Sequence, residues 1–260
     1  MINKVMSMRQ HAAFWLAGLL SVASCGTCAQ AQDVSVTDER PIAKAIEKLE
    51  HLYRVPITYE DTLYLNDNDV VDVTAAVRLD NDGSNPHRVL VPVRRTITFA
   101  LPETQAGAMR SQSGQSAAAL AAVKSLLDSY ALAGGAGVFD VSENSSGLHV
   151  VSRAYADVSG QLQSLKPALE TRVSITEGLR PAFDVLDEIC GQISLGGRVV
   201  DVGTVPTNLL ANHPVNVDVK SASARDILGS ISKQIGVPLS WQLFCDPGDG
   251  GCALNMHVVQ

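Results

Sequence analysis

The residues in this 260-residue chain best suited to chemistry are five Cys, six His and 27 Asp and Glu set against 20 Lys and Arg. Cys245 and Cys252 flank Asp-Pro-Gly-Asp-Gly-Gly at 246–251, a strong turn sequence. Two Cys facing each other across such a turn can form a hairpin disulfide in an oxidising compartment, and that bond is expected here. A metal would need further ligands, and no CxxC pair or clustered His supplies them. Cys190 follows Val185, Leu186 and Ile189 and precedes Ile193. That spacing puts it on the apolar face of a helix, where a free Cys acts as a small hydrophobe. A reactive thiol would need an electropositive, accessible setting.

The His are scattered at 11, 51, 87, 149, 213 and 257, with no HExxH pair. His149 and His257 fall at matching places in Leu-His-Val-Val and Met-His-Val-Val. They read either as a paired ligand or pH-sensing site, or as polar-face residues of two similar strands. The second reading is the expectation. Asp61, Asp67, Asp69, Asp72 and the turn Asp80-Asn81-Asp82-Gly83 lack the calcium-loop spacing and its later Glu, so they read as solvated loops. Ser113-Gly114-Gln115-Ser116-Ala117 lacks the second glycine of a nucleophile elbow. Gly134-Gly135-Ala136-Gly137 follows a helix pattern and reads as a cap and turn. There is no P-loop and no dinucleotide fingerprint. The expectation is therefore no catalytic residue, no metal and no cofactor.

These residues sit in a chain that is 46% hydrophobic, 5% aromatic and 18% charged, with net charge -7. That composition suits one or two globular domains. The acidic balance argues against nucleic acid, whose phosphates call for clustered Lys and Arg. Residues 1–31 read as a signal peptide: Lys4 and Arg9, then the apolar run Ala12–Ala23, then small residues. The run is shorter than the ~20 residues a membrane span needs, and no later segment approaches that length. Two processing sites compete. Ala29-Gln30-Ala31 gives a soluble chain from Gln32, without Lys4 and Arg9. Val22-Ala23-Ser24-Cys25 resembles a lipobox and would lipidate Cys25. The expected location is periplasmic, or lipid-anchored to the outer membrane.

The mature part repeats itself. Val34-Ser35-Val36-Thr37 before Arg40-Pro41 returns as Val173-Ser174-Ile175-Thr176 before Arg180-Pro181. Each Pro opens an amphipathic helix. Extended segments follow at 57–60 and 198–202, and alternating segments at 93–101 and 215–219. A second helix comes next, carrying Leu120, Val123, Leu126, Leu127 and Tyr130 in one half. In the other half it carries Ala224, Ile227, Leu228, Ile231 and Ile235. Each half ends in a hairpin, 138–142 with 148–151 and 239–244 with 256–259. The fold class expected is α+β, as two tandem βαβ-βαββ modules, each with two helices packed against small mixed sheets. The first module spans 34–153, with insertions at 64–89 and 103–115. A linker covers 154–172, and the second module spans 173–260.

The second module resembles the secretin/TonB short N-terminal (STN) domain. Its first helix motif is carried by Arg180-Pro181-Ala182-Phe183-Asp184-Val185-Leu186-Asp187-Glu188-Ile189. Its second is carried by Ser223-Ala224-Arg225-Asp226-Ile227-Leu228-Gly229-Ser230-Ile231. The first module resembles the same pattern more loosely. The resemblance implies a non-catalytic domain that contacts partner proteins in the bacterial envelope. The chain ends at Gln260, directly after the second module, so a transporter barrel or secretin pore is not carried over. The function expected is protein–protein interaction in the periplasm. The alternatives are an envelope hydrolase and a small-ligand carrier with a site between the modules.

Overall fold

A computed structural model describes residues 32–77, 88–103 and 111–260. The signal-peptide and lipobox readings, with Cys25 and Cys28, lie outside these residues. So do His11, His87 and the Asp80–Gly83 turn. The chain runs β1 (Asp33–Asp38), α1 (Pro41–Tyr53), β2 (Ile57–Glu60), β3 (Val70–Asp72), α2 (Thr74–Val77), β4 (Leu90–Pro92), β5 (Arg95–Ala100), α3 (Gln112–Leu132), β6 (Val138–Asn144), β7 (Gly147–Ala156) and β8 (Leu162–Ser164). It continues through β9 (Arg172–Ile175), β10 (Leu179–Pro181), α4 (Ala182–Leu195), β11 (Val200–Val202), α5 (Thr207–Asn212), β12 (Pro214–Asn216), β13 (Val219–Ser223), α6 (Ala224–Ile235), β14 (Leu239–Cys245) and β15 (Cys252–Val258). The fold is α+β, and all described residues belong to one compact unit.

Local chemistry sets the helix ends. Pro41 opens α1, where its missing N–H has no intrahelical acceptor to lose. Ile42, Ala45, Ile46, Leu49 and Tyr53 then form its buried stripe. The hydroxyl of Ser223 accepts the Asp226 N–H and starts α6, and Gly236 ends it in the left-handed region at φ 74°. Helix α3 begins at Gln112 because the Ser111 side chain accepts the Gly114 N–H. It therefore takes over the end of the segment read as an insertion. The other insertion carries β3 and α2, and β3 pairs with β4 just past its end.

The strand pairing has the same pattern in both halves. β2 lies parallel to β7, which is antiparallel to β6; β11 lies parallel to β15, which is antiparallel to β14. β1 pairs with β5, and β9 with β13. β14 then pairs with β2 in parallel, which makes one seven-stranded sheet in the order β11-β15-β14-β2-β7-β6, with β8 on β7.

Side chains alternate along each strand, so the registers assign faces. Ile57, Tyr59, Leu148 and Val150 share one face and one apolar cluster with α1 and α3. Trp241, Leu243, Leu254 and Met256 share the opposite face and a second cluster with α4 and α6. The sheet thus carries one helix pair on each side. All four residues of β2 are buried, as expected of a strand covered on both faces.

The linker region does more than connect. β7 runs on to Ala156, β8 pairs with it, and a 3-10 turn at Ala168–Glu170 buries Ala168 and Leu169 in the second cluster. Its apolar residues are too sparse to show a period in the sequence.

Cys245 and Cys252 are directly paired at the end of the β14–β15 hairpin and form the expected disulfide. The ring is short, so the bond removes little chain entropy. Replacing both with Ser should cost about 2 kcal/mol, read as a lower urea midpoint at unchanged slope. An unchanged midpoint would show that cross-strand pairing alone holds the hairpin.

Candidate functional site

The groups with the strongest electrostatics lie where the two halves meet. Glu50, Glu60 and Asp61 of the first half are only 3%, 2% and 4% exposed. Buried carboxylates must be paired, and each of these is tied to the second half. Asp61 Oδ1 accepts the Tyr59 and Tyr64 hydroxyls at 2.8 and 2.7 Å and the Thr62 N–H at 3.0 Å. Its Oδ2 accepts Arg40 Nε at 2.7 Å and the Cys245 N–H at 3.3 Å. Arg40 also donates to the Cys245 carbonyl at 2.7 Å, with its guanidinium 5.0 Å from the Phe244 ring centre. Burial, and then the Asp61 charge, push both phenols well above their ordinary range.

Glu60 Oε1 accepts Arg225 Nε at 2.8 Å and a second guanidinium nitrogen as well, while Oε2 accepts the Leu169 N–H at 3.2 Å. Burial raises the Glu60 pKa against the opposing pull of Arg225. Glu50 Oε1 accepts the Ile57 N–H at 2.8 Å, and Oε2 meets His257 Nε2 at 2.7 Å. These six oxygens are all engaged by protein groups. Chemically, the arrangement is a joint. The sequence signal for it was acids inside apolar patterns: Glu50 falls on the buried stripe of α1, and Glu60 closes a buried strand.

His149 and His257 are not brought together. Both stand opposite a Ser, Ser142 and Ser240, but on opposite faces of the sheet. Their similar strings are also out of step with the parallel neighbours. His149 is one residue past the pair Leu148–Ile57, whereas His257 is five residues past the pair Cys252–Val200. His149 is 1% exposed, which differs from the polar-face expectation. It lies under α6, with Nδ1 at 2.7 Å from Thr58 Oγ1 and its ring 5.7 Å from Trp241. Burial, then Arg225, lower its pKa to about 4.

Cys190 is buried on α4, with its thiol pushed up to about 12 by burial. Of the acids read as loop residues, Asp61 is the buried anchor above, while Asp69 and Asp72 pair with Arg95 and Arg88, each at 2.8 Å. Among the described residues no group of three or more His, Cys, Asp or Glu is placed to hold a metal. Among them, too, no helix is long and apolar enough to cross a membrane.

Two surface features among the described residues bear on binding. A groove of about 700 Å³ runs along the seam, lined by residues that include Arg54, Ser113, Ser146, Lys233 and Pro238. Several of its polar groups are already paired. Lys233 donates to Ser145 at 2.6 Å, and Ser116 to Glu143 at 2.5 Å. The other feature is the sheet edge at β6. Leu148 sends its N–H to Pro56, on the β2 side, so its partner Glu143 points its backbone groups off the sheet. Val141, two residues back, does the same. Its N–H is taken by the side chain of Asp140 at 2.8 Å. Among the described residues no strand pairs with this outer edge.

The two His should give opposite pH slopes. His149 is held neutral in the fold, so the unfolded chain binds its proton more readily. Stability should fall as pH drops from 6.5 toward about 4, by up to about 3 kcal/mol. His257 is raised, first by its hydrogen bond to Glu50, so its contribution is complete below pH 6.5 and lost as pH rises through its folded value. In urea titrations across this range, His149→Gln should flatten the acid-side slope and His257→Gln the slope above pH 6.5. An acid slope unchanged in His149→Gln would contradict a neutral buried ring.

Comparison of the chain with family models, with curated proteins and with solved structures returns no match.

Proposed function

We propose that this chain is a non-enzymatic protein of the bacterial cell envelope that binds partner proteins, and that the open edge of β6 is its pairing surface. The observation that carries this reading is the edge itself. Seven residues long, it turns the backbone groups of Val141 and Glu143 outward with no ladder partner among the described residues. Such an edge can recruit an extended segment by strand addition. The leader-like residues 1–31, the disulfide and the resemblance to STN domains support an exported, partner-binding role. The buried charged groups support it in another way: they are engaged in joining the two halves. A small-ligand carrier is the second reading, favoured by the seam groove of about 700 Å³. Native mass spectrometry of the purified protein would show a retained ligand.

Val141→Pro tests the first reading. The Val141 N–H makes no ladder bond, so proline there should spare the fold while blocking the edge. Wild type should capture a defined envelope protein from extract, and Val141→Pro should capture at least about tenfold less at an unchanged urea midpoint. Equal capture by the two would overturn the edge assignment.

A further inference from the structure

We infer that β6 of one molecule accepts β11 of a second copy, repeating outside the molecule the pairing that joins β14 to β2 within it. This rests on the reading of β6 as an open pairing edge and names its partner. Val202, Leu254 and Leu243 form one row across three strands; Tyr59, Val150 and Val141 form the same row in the other half. The internal joint sets Leu243 opposite Glu60 and gives its carbonyl to the Asp61 N–H at 3.0 Å. Row for row, Leu243 corresponds to Val141 on one outer edge. Tyr59 and Asp61 correspond to Val202 and Thr204 on the other. The capping repeats as well: Ile57 N–H goes to Glu50 at 2.8 Å, and Val200 N–H to Ser194 at 2.9 Å. The two outer edges therefore match the edges of that joint as far as Val202, beyond which the Thr204 carbonyl turns back to the Met256 N–H at 2.8 Å.

Strand direction reverses from one half to the other while strand order is kept, so each added unit places its helices on the alternate face. A second copy would set its Val202 and Thr204 around Val141, covering the exposed Val138 of β6 and Val199 beside β11. Because the two surfaces differ, the contact is heterologous and grows an open chain.

The outer joint is weaker than the inner one. Where the inner joint has Glu60 and Asp61, the outer has Gly203 and Thr204, so no buried ion pair reinforces it. Both donors it needs are also held within the chain: the Val141 N–H by Asp140 Oδ1 and the Thr204 N–H by Asn255 Oδ1, each at 2.8 Å. Gly203 allows the second hold, since a Cβ there would sit 2.5 Å from Asn255 Oδ1. Assembly therefore requires these side chains to let go, and it depends on concentration.

Sedimentation velocity on the mature chain tests this. Wild type should show a sedimentation coefficient that climbs with concentration without a plateau. Asp140→Ala should reach the same state at about fivefold to tenfold lower concentration. Val141→Pro and Val202→Pro should each remain monomeric alone yet form a dimer when mixed, since each retains the edge the other lacks. Wild type and Asp140→Ala both monomeric throughout, a plateau at a dimer, or no dimer in the mixture would each overturn the inference. Failure here alongside loss of envelope-protein capture in Val141→Pro would leave the proposed function standing.

Discussion

The structure depends on keeping three acidic side chains, Glu50, Glu60 and Asp61, away from water at the junction of its halves. A buried charge with no partner is costly, and breaking such a pair costs on the order of 3–5 kcal/mol. Each acid stands on α1, on β2 or just after it, and each finds a donor from the other half: His257, Arg225 or the Cys245 amide. The β14–β2 ladder itself is short, so backbone pairing alone would specify its register weakly. Asp61 removes that freedom. Its carboxylate holds Arg40 and the Cys245 amide, while its own N–H holds the Leu243 carbonyl. A shift of one residue would take the Cys245 amide from Asp61 and Arg225 from Glu60.

That constraint also explains why one edge of each half is closed and the other is not. β2 carries acids at its end; the corresponding end of β11 carries Gly203 and Thr204. β14 is followed by a disulfide-closed hairpin whose backbone faces Arg40, whereas β6 presents Asp140 and Glu143 to solvent. The outer edges are blunted by charge and by side-chain caps, which is how exposed strands are kept from indiscriminate pairing. Any strand added at β6, as proposed, must displace the Asp140 carboxylate from the Val141 N–H.

Much of the local architecture was legible in residue order. The apolar spacing of α1, α4 and α6, the Pro that opens α1 and the turn between Cys245 and Cys252 are short-range signals, and all of them fold locally. The repeated strand-helix order was legible for the same reason. The two His show the limit of such matching. Their neighbours are alike in sequence, yet His149 stands one residue past the Leu148 row, His257 stands five past the matching Cys252 row, and the two halves turn opposite faces to their helices. His149 thus meets α6 and Trp241, while His257 meets α1.

Taken alone, the sequence determined the long helices α1, α3, α4 and α6, most of the strands that flank them, the disulfide and the buried Cys190, but not β3, β4, β8, β10, α2 or α5. It could do so because those features depend on periodicity, capping and neighbours close along the chain. Only the tertiary structure decided that β14 lies beside β2, that the helix pairs take opposite faces, and that Glu50, Glu60 and Asp61 find partners in the other half. Those contacts join residues more than a hundred and fifty positions apart. Their energy comes from excluding water around charge, which no window of sequence contains.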